Sequence, residues 1–150
     1  MNVVPHLERP AADFDSARVA DAMSLGVISC TPETPLRKVA ALMTIYRVHA
    51  IFVFEFGEED DEAAVLWGLV SDLDVVAAAL GDIDRRTAGD SAITPLLTVM
   101  SDERLDRAAQ LMAESGVSHL AVIDAVTRRP SGVLSTLDVL RVLAPDSARI

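Results

Sequence analysis

Two seven-residue stretches constrain this chain more than any other feature: Gly68-Leu69-Val70-Ser71-Asp72-Leu73-Asp74 and, 64 positions on, Gly132-Val133-Leu134-Ser135-Thr136-Leu137-Asp138. Each is a glycine, two apolar residues and a serine, with an aspartate three residues later opening an apolar run. The pattern predicts a strand that turns directly into a helix. The serine and aspartate have the spacing of a capping box, in which the hydroxyl accepts an orphan N–H of the first turn and the acid reaches back to the serine's own N–H. The same first turn presents free N–H donors and a positive dipole end, which suit an anion. Helix cap and ligand site are both open readings of each copy.

The rest of the chain repeats around these stretches. Asp90 answers Asp21, Leu105 answers Leu36, Ala109 answers Ala40, Val117 answers Val48 and Val122 answers Val53, all at an offset of 69, which falls to 64 at Gly68 and Gly132. The first copy therefore carries five extra residues, and they fall in the acidic loop after Gly57, where an insertion costs least. Each repeat reads as helix, short strand, helix, strand, strand, helix. In the first, a helix is expected from Asp15 or Ser16 to about Met23, a strand over Val27-Ile28-Ser29-Cys30, and a helix begun by Pro35 with Leu36, Val39, Ala40, Leu42, Met43 and Tyr46 at buried-face spacing. Ala50 to Phe54 and Val65 to Val70 then read as a hairpin. The boundaries expected are an N-terminal arm over 1–14, a first unit over 15–82, a second over 83–145 and a tail over 146–150. A unit of some 60 residues buries too little alone, so the two should pack sheet against sheet about a pseudo-twofold axis.

Composition narrows the function. Half of the 150 residues are hydrophobic and 4% are aromatic, so the core must be aliphatic. A formal charge of −10 would repel a phosphate backbone, which argues against nucleic acid as a partner. Cys30 is the single cysteine, which excludes an intrachain disulfide and a cysteine-rich zinc cluster and suits a reducing, cytoplasmic setting. No apolar run approaches the roughly 20 residues of a membrane span. The run Glu58 to Glu62 lacks the alternating ligands and central glycine of a calcium loop and reads as a solvated hairpin tip, and Asp72 with Asp74 has no further ligand in view, so no metal site is expected. No nucleophile with an ordered base, no G-x-S-x-G and no P-loop occurs, so no catalytic residues are expected and the chain is not read as an enzyme.

With Val19-Ala20-Asp21-Ala22-Met23 leading the first unit, Thr31-Pro32-Glu33-Thr34-Pro35-Leu36 and Ser101-Asp102-Glu103-Arg104-Leu105 before the long helices, Ser118-His119-Leu120-Ala121-Val122-Ile123-Asp124 in the second unit, and the two G-x-x-S-x-x-D stretches, the chain resembles a tandem pair of cystathionine β-synthase (CBS) domains, a Bateman module, over about residues 17 to 143. The resemblance implies an α+β fold of two pseudosymmetric βαββα-type units packed as one module and paired as a homodimer. It implies a regulatory module with no enzyme cofactor, binding AMP, ADP, ATP or S-adenosylmethionine between the units and modulating a partner protein that the sequence does not name. It carries Asp74 and Asp138 onto the ribose hydroxyls, Ser71 and Ser135 near the first phosphate, and His49-Ala50 and Ser118-His119 onto phosphate or ribose, with Gly68 and Gly132 leading each motif. The alternative reading is a ligand-free module that keeps the fold and the dimer.

Overall fold

The computed structural model describes residues 13–55, 65–92 and 96–145. The chain runs α1 (Val19–Ala22), β1 (Ser24–Leu25), β2 (Ser29–Cys30), α2 (Leu36–Tyr46), β3 (Ala50–Glu55), β4 (Val65–Ser71) and α3 (Asp72–Ala79). After a 3-10 turn at Ile83–Arg85 it repeats as α4 (Ala88–Ser91), β5 (Thr98–Met100), α5 (Leu105–Ser115), β6 (His119–Ile123), β7 (Pro130–Ser135) and α6 (Thr136–Leu143). The element order expected of both repeats is present, except that the first gains the short strand β1 and its strand expected over Val27 to Cys30 is confined to Ser29–Cys30. The acidic run Glu58 to Glu62 lies outside the described residues.

Two sheets form, in the orders β2-β3-β4 and β1-β7-β6-β5. Successive residues of a strand point to opposite faces, and here both faces are buried. Ile51, Val53 and Val70 pack under α2 and α3, and Leu120, Val122 and Leu134 pack under α5 and α6. The alternate residues Ala50, Phe52 and Leu69 meet Ala121, with Val133 beside them, between the sheets. The sheets therefore pack face to face, as a unit too small to fold alone requires.

What joins the units is a reciprocal exchange that the repeat did not disclose. Ala17 and Val19, from the start of the first repeat, lie in the core of the second sheet, and Ala88, from the start of the second, lies in the core of the first. Leu105 N–H donates to the Ala17 carbonyl (2.9 Å) and Leu36 N–H to the Arg86 carbonyl (3.1 Å). Val19 N–H donates to Glu103 (2.9 Å) and Ala88 N–H to Thr34 (2.8 Å). The bridge Arg18 to Arg104 is matched by Pro35 to Thr87. Every one of these pairs maps onto its partner by the offset of 69, so they are the pseudo-twofold axis expressed in hydrogen bonds. β1 also crosses over, pairing antiparallel with β7 through Ser24 to Val133 and Leu25 to Gly132.

Three local expectations need correction. The leading helix starts at Val19, not at Asp15 or Ser16, because residues 13–16 close a separate turn on the Asp13 carbonyl and residues 17 and 18 must stay extended to reach Leu105 and Arg104. Tyr46 is 55% exposed: the buried face of α2 is Leu36, Val39 and Met43. Pro35 is the cap residue before α2, one position ahead of its first turn.

Candidate functional site

Both serine and aspartate pairs form the capping box. Asp74 Oδ2 accepts the Ser71 N–H at 2.8 Å and Asp138 Oδ2 accepts the Ser135 N–H at 2.8 Å, while each serine Oγ accepts the aspartate N–H, at 3.3 and 3.2 Å. The cap is thus satisfied without a ligand, and each carboxylate keeps Oδ1 for other partners.

The residues before the second long strand reach the same place through the backbone. Asp72 N–H donates to the His49 carbonyl (2.9 Å) and Thr136 N–H to the Ser118 carbonyl (3.0 Å), a pair related by the repeat. In the ladders Ala50 stands opposite Ser71 and His119 opposite Ser135. His49 Nδ1 then lies 3.0 Å from Asp72 Oδ2, and Ser118 Oγ lies 2.9 Å from His119 Nδ1. His119 belongs to the second unit, yet it feels the charges of Asp72, His49 and Asp74 from the first as well as Asp138 from its own. The two helix starts therefore open onto one region. Burial is the largest influence on His119 and lowers its pKa, with His49 adding to the effect and the three carboxylates opposing it.

Eight of the ten candidate residues thus gather in two related clusters, Ser71, Asp74, His49 and Ala50 in one and Ser135, Asp138, Ser118 and His119 in the other. Gly68 and Gly132 do not join them. They pair with Val53 and Val122, three residues back along β4 and β7, roughly 10 Å from the helix starts at a strand's rise. Gly132 is required by packing, since Ser24 and Met23 occupy the space its Cβ would fill.

The two clusters are not equivalent. Asp138 is 4% exposed, with Arg141 Nη1 3.4 Å from its Oδ1. Asp74 is partly exposed, and Ala77 stands where the second unit has Arg141. Beside α6 lies a mostly apolar hollow of about 350 Å³, lined by Ala109, Met112, Ala113, Gly116, Val117, Ser118, Thr136 and Val139. At the matching positions of Ala113, Gly116 and Ser118 the first unit carries the bulkier Thr44, Arg47 and His49, and at that of Thr136 it carries the charged Asp72. The sequence motifs set Asp72 beside Asp74 only as a pair without a further ligand and mark neither Thr136 nor Arg141, and the repeat comparison is the signal that could have found them.

Arg128 and Arg129 lie on the turn between β6 and β7, at the far end of those strands from Ser135, where Asp124 Oδ1 accepts the N–H groups of Val126 and Thr127. Among the described residues no group of His, Cys, Asp and Glu side chains is arranged to hold a metal, and no helix is long and apolar enough to cross a membrane. The Cys30 thiol is partly buried in the first core, and that burial pushes its pKa up, which disfavours the reactive thiolate.

Comparison with known proteins matches this architecture. The CBS domain model matches twice, at residues 19–81 and 88–145. A CBS domain-containing protein of Bacillus subtilis, YhcV, is 32% identical over 115 residues, covering 71% of this chain and 72% of the relative. Among solved structures, the CBS domain pair of MJ0100 in complex with 5′-methylthioadenosine and S-adenosyl-L-methionine superposes with a TM-score of 0.71 at 20% identity, covering 85% of this chain and 95% of that one, a likeness of fold. CBSX2, in complex with AMP, superposes with a TM-score of 0.61 at 26% identity, covering 84% and 95%; that protein is from Arabidopsis thaliana. Two matched repeats, in the order and packing described above, make this chain a member of the CBS domain family, built as a tandem pair.

Proposed function

We propose that this chain is a regulatory module that binds an adenosyl nucleotide at the helix starts of α3 and α6 and passes the binding state to a partner protein. The observation that carries the reading is the convergence of two helix N-termini, each with a serine hydroxyl and an aspartate carboxylate, on one region between the units. A carboxylate offers two acceptor oxygens to a vicinal diol, and the first-turn N–H groups suit a phosphate. CBSX2, the relative at 26% identity, is in complex with AMP. In this reading Asp74 and Asp138 hold ribose, Ser71 and Ser135 lie near phosphate, and His49, Ala50, Ser118 and His119 line the approach. The module works as a homodimer in a reducing, cytoplasmic compartment, with neither nucleic acid nor membrane as partner and no catalysis of its own.

A thermal-shift screen against AMP, ADP, ATP and S-adenosylmethionine tests this, because a ligand at 100 times its Kd adds about 2.7 kcal/mol to folding stability. A rise with at least one of them is the expected result; no shift with any at millimolar concentration rejects it. The second reading, a ligand-free dimerisation module, draws on the burial of Asp138 beneath Arg141.

A further inference from the structure

The two helix starts differ at their first residue, Asp72 on α3 and Thr136 on α6. The Asp72 carboxylate folds back onto its own helix: Oδ1 accepts the Leu73 N–H at 2.8 Å, and Oδ2 lies 3.0 Å from His49 Nδ1. Leu73 N–H is one of the orphan donors that a helix start offers to an anion, and the imidazole is a second donor of the same kind. The side chain of Asp72 thus occupies both with a charge of the same sign as a phosphate. Thr136 places no charge at the matching point, and Ser118 replaces the imidazole with a hydroxyl. The balance of charge one turn further along points the same way. The first turn of α3 carries Asp72 and Asp74 with no basic residue in its last turn, whereas α6 carries Asp138 alone and sets Arg141 against it.

We infer that Asp72 is an internal anion that bars phosphate from the start of α3, so that phosphate-bearing adenosyl ligands bind at the start of α6 and the start of α3 admits only adenosyl ligands without phosphate. The residue pair Asp72 and Thr136 sets this specificity. The inference rests on the adenosyl-binding reading above and divides its two helix starts by ligand charge.

Calorimetry of the full chain with AMP and with adenosine tests it. The unmodified chain should bind AMP at one site. Asp72→Thr, which copies the second unit, should gain a second AMP site as affinity at α3 rises by roughly tenfold or more once the like charge is removed, with adenosine affinity held within about twofold. Thr136→Asp should weaken AMP at α6 by about tenfold and again spare adenosine. Asp72→Ala is a second route to the same gain should the threonine disturb α3, and the melting temperature of each variant reports its folding. AMP filling two equal sites in the unmodified chain overturns the inference, as does a single AMP site in both Asp72 variants or an equal response of AMP and adenosine. No binding of either ligand to any of the four proteins overturns the adenosyl-binding reading itself, and the inference with it.

Discussion

A β-carbon on Gly132 would run into the carbonyl oxygen of Ser24, with the Ser24 carbonyl carbon only 3.1 Å away. The contact exists because β1 of the first repeat lies against β7 of the second, Leu25 opposite Gly132. Gly132→Ala must push β1 off the sheet or strain it, at a cost of about 1–3 kcal/mol, the usual scale of overpacking. Chemical denaturation should show that loss at an unchanged m-value.

Arg47 and Gly116 close α2 and α5 in the same left-handed conformation, with φ of 54° and 65°. The conformation is free for glycine and strained for arginine. Arg47→Gly should therefore stabilise the fold by roughly 0.5–1 kcal/mol, the scale of a relieved backbone conflict less the entropy that glycine adds to the unfolded chain. A lowered melting temperature would show that the Arg47 side chain makes a compensating contact.

The helices after the two motifs expose Leu73 and Val76 on α3, with Leu80 just past its end, and Leu137, Leu140 and Leu143 on α6. Val75 and Val139 are instead buried, and Val142 packs against the second core. The remaining apolar stripe is what a second copy would cover in the proposed homodimer. Sedimentation should give roughly twice the chain mass of 16.0 kDa, and Leu137→Glu with Leu140→Glu should return it to one chain. A single-chain species for the unmodified protein at micromolar concentration rejects the dimer.

Asp138→Ala should weaken AMP by roughly 1.5–3 kcal/mol, the scale of hydrogen bonds to a charged group, and Asp74→Ala by much less. Ribose must first displace Arg141 from Asp138. That pair spans 3.4 Å, joining an exposed guanidinium to a buried carboxylate, and Arg141→Ala should raise adenosine affinity by freeing Asp138 Oδ1. Calorimetry on the three variants checks both statements; equal losses at Asp74 and Asp138 would mean equivalent clefts.

His119 carries the pH dependence. Burial lowers its folded pKa below the unfolded value near 6.5, so between the two the unfolded chain binds more protons and stability rises with pH. The contribution is complete above about pH 6.5 and is lost as the pH falls through the folded pKa. His119→Gln should flatten that part of the stability curve. An unchanged slope as the pH falls below about 6.5 would place the titration elsewhere.

The sequence by itself determined the parts of this protein that depend on near neighbours. The β-branched and aromatic run Ala50 to Phe54 marked a strand, the spacing of Leu36, Val39 and Met43 marked a helix, and the pairs Ser71 with Asp74 and Ser135 with Asp138 marked two capped helix starts. Capping spans three residues and amphipathic period four, so both are written in consecutive letters. The repeat added the pseudo-twofold, because equal halves that cannot fold alone must bury against each other. Tertiary structure decided the rest. Val19 and Ala88 carry the same pattern, and nothing local tells a leading helix whether to dock on its own sheet or the other, since both sheets present similar apolar faces. Only the path of the chain, with Ala17 reaching Leu105 and Arg86 reaching Leu36, settles the exchange. The same holds for the candidate site, where the burial of Asp138 and the return of Asp72 onto Leu73 depend on burial and side-chain directions that the shared glycine, serine and aspartate do not encode.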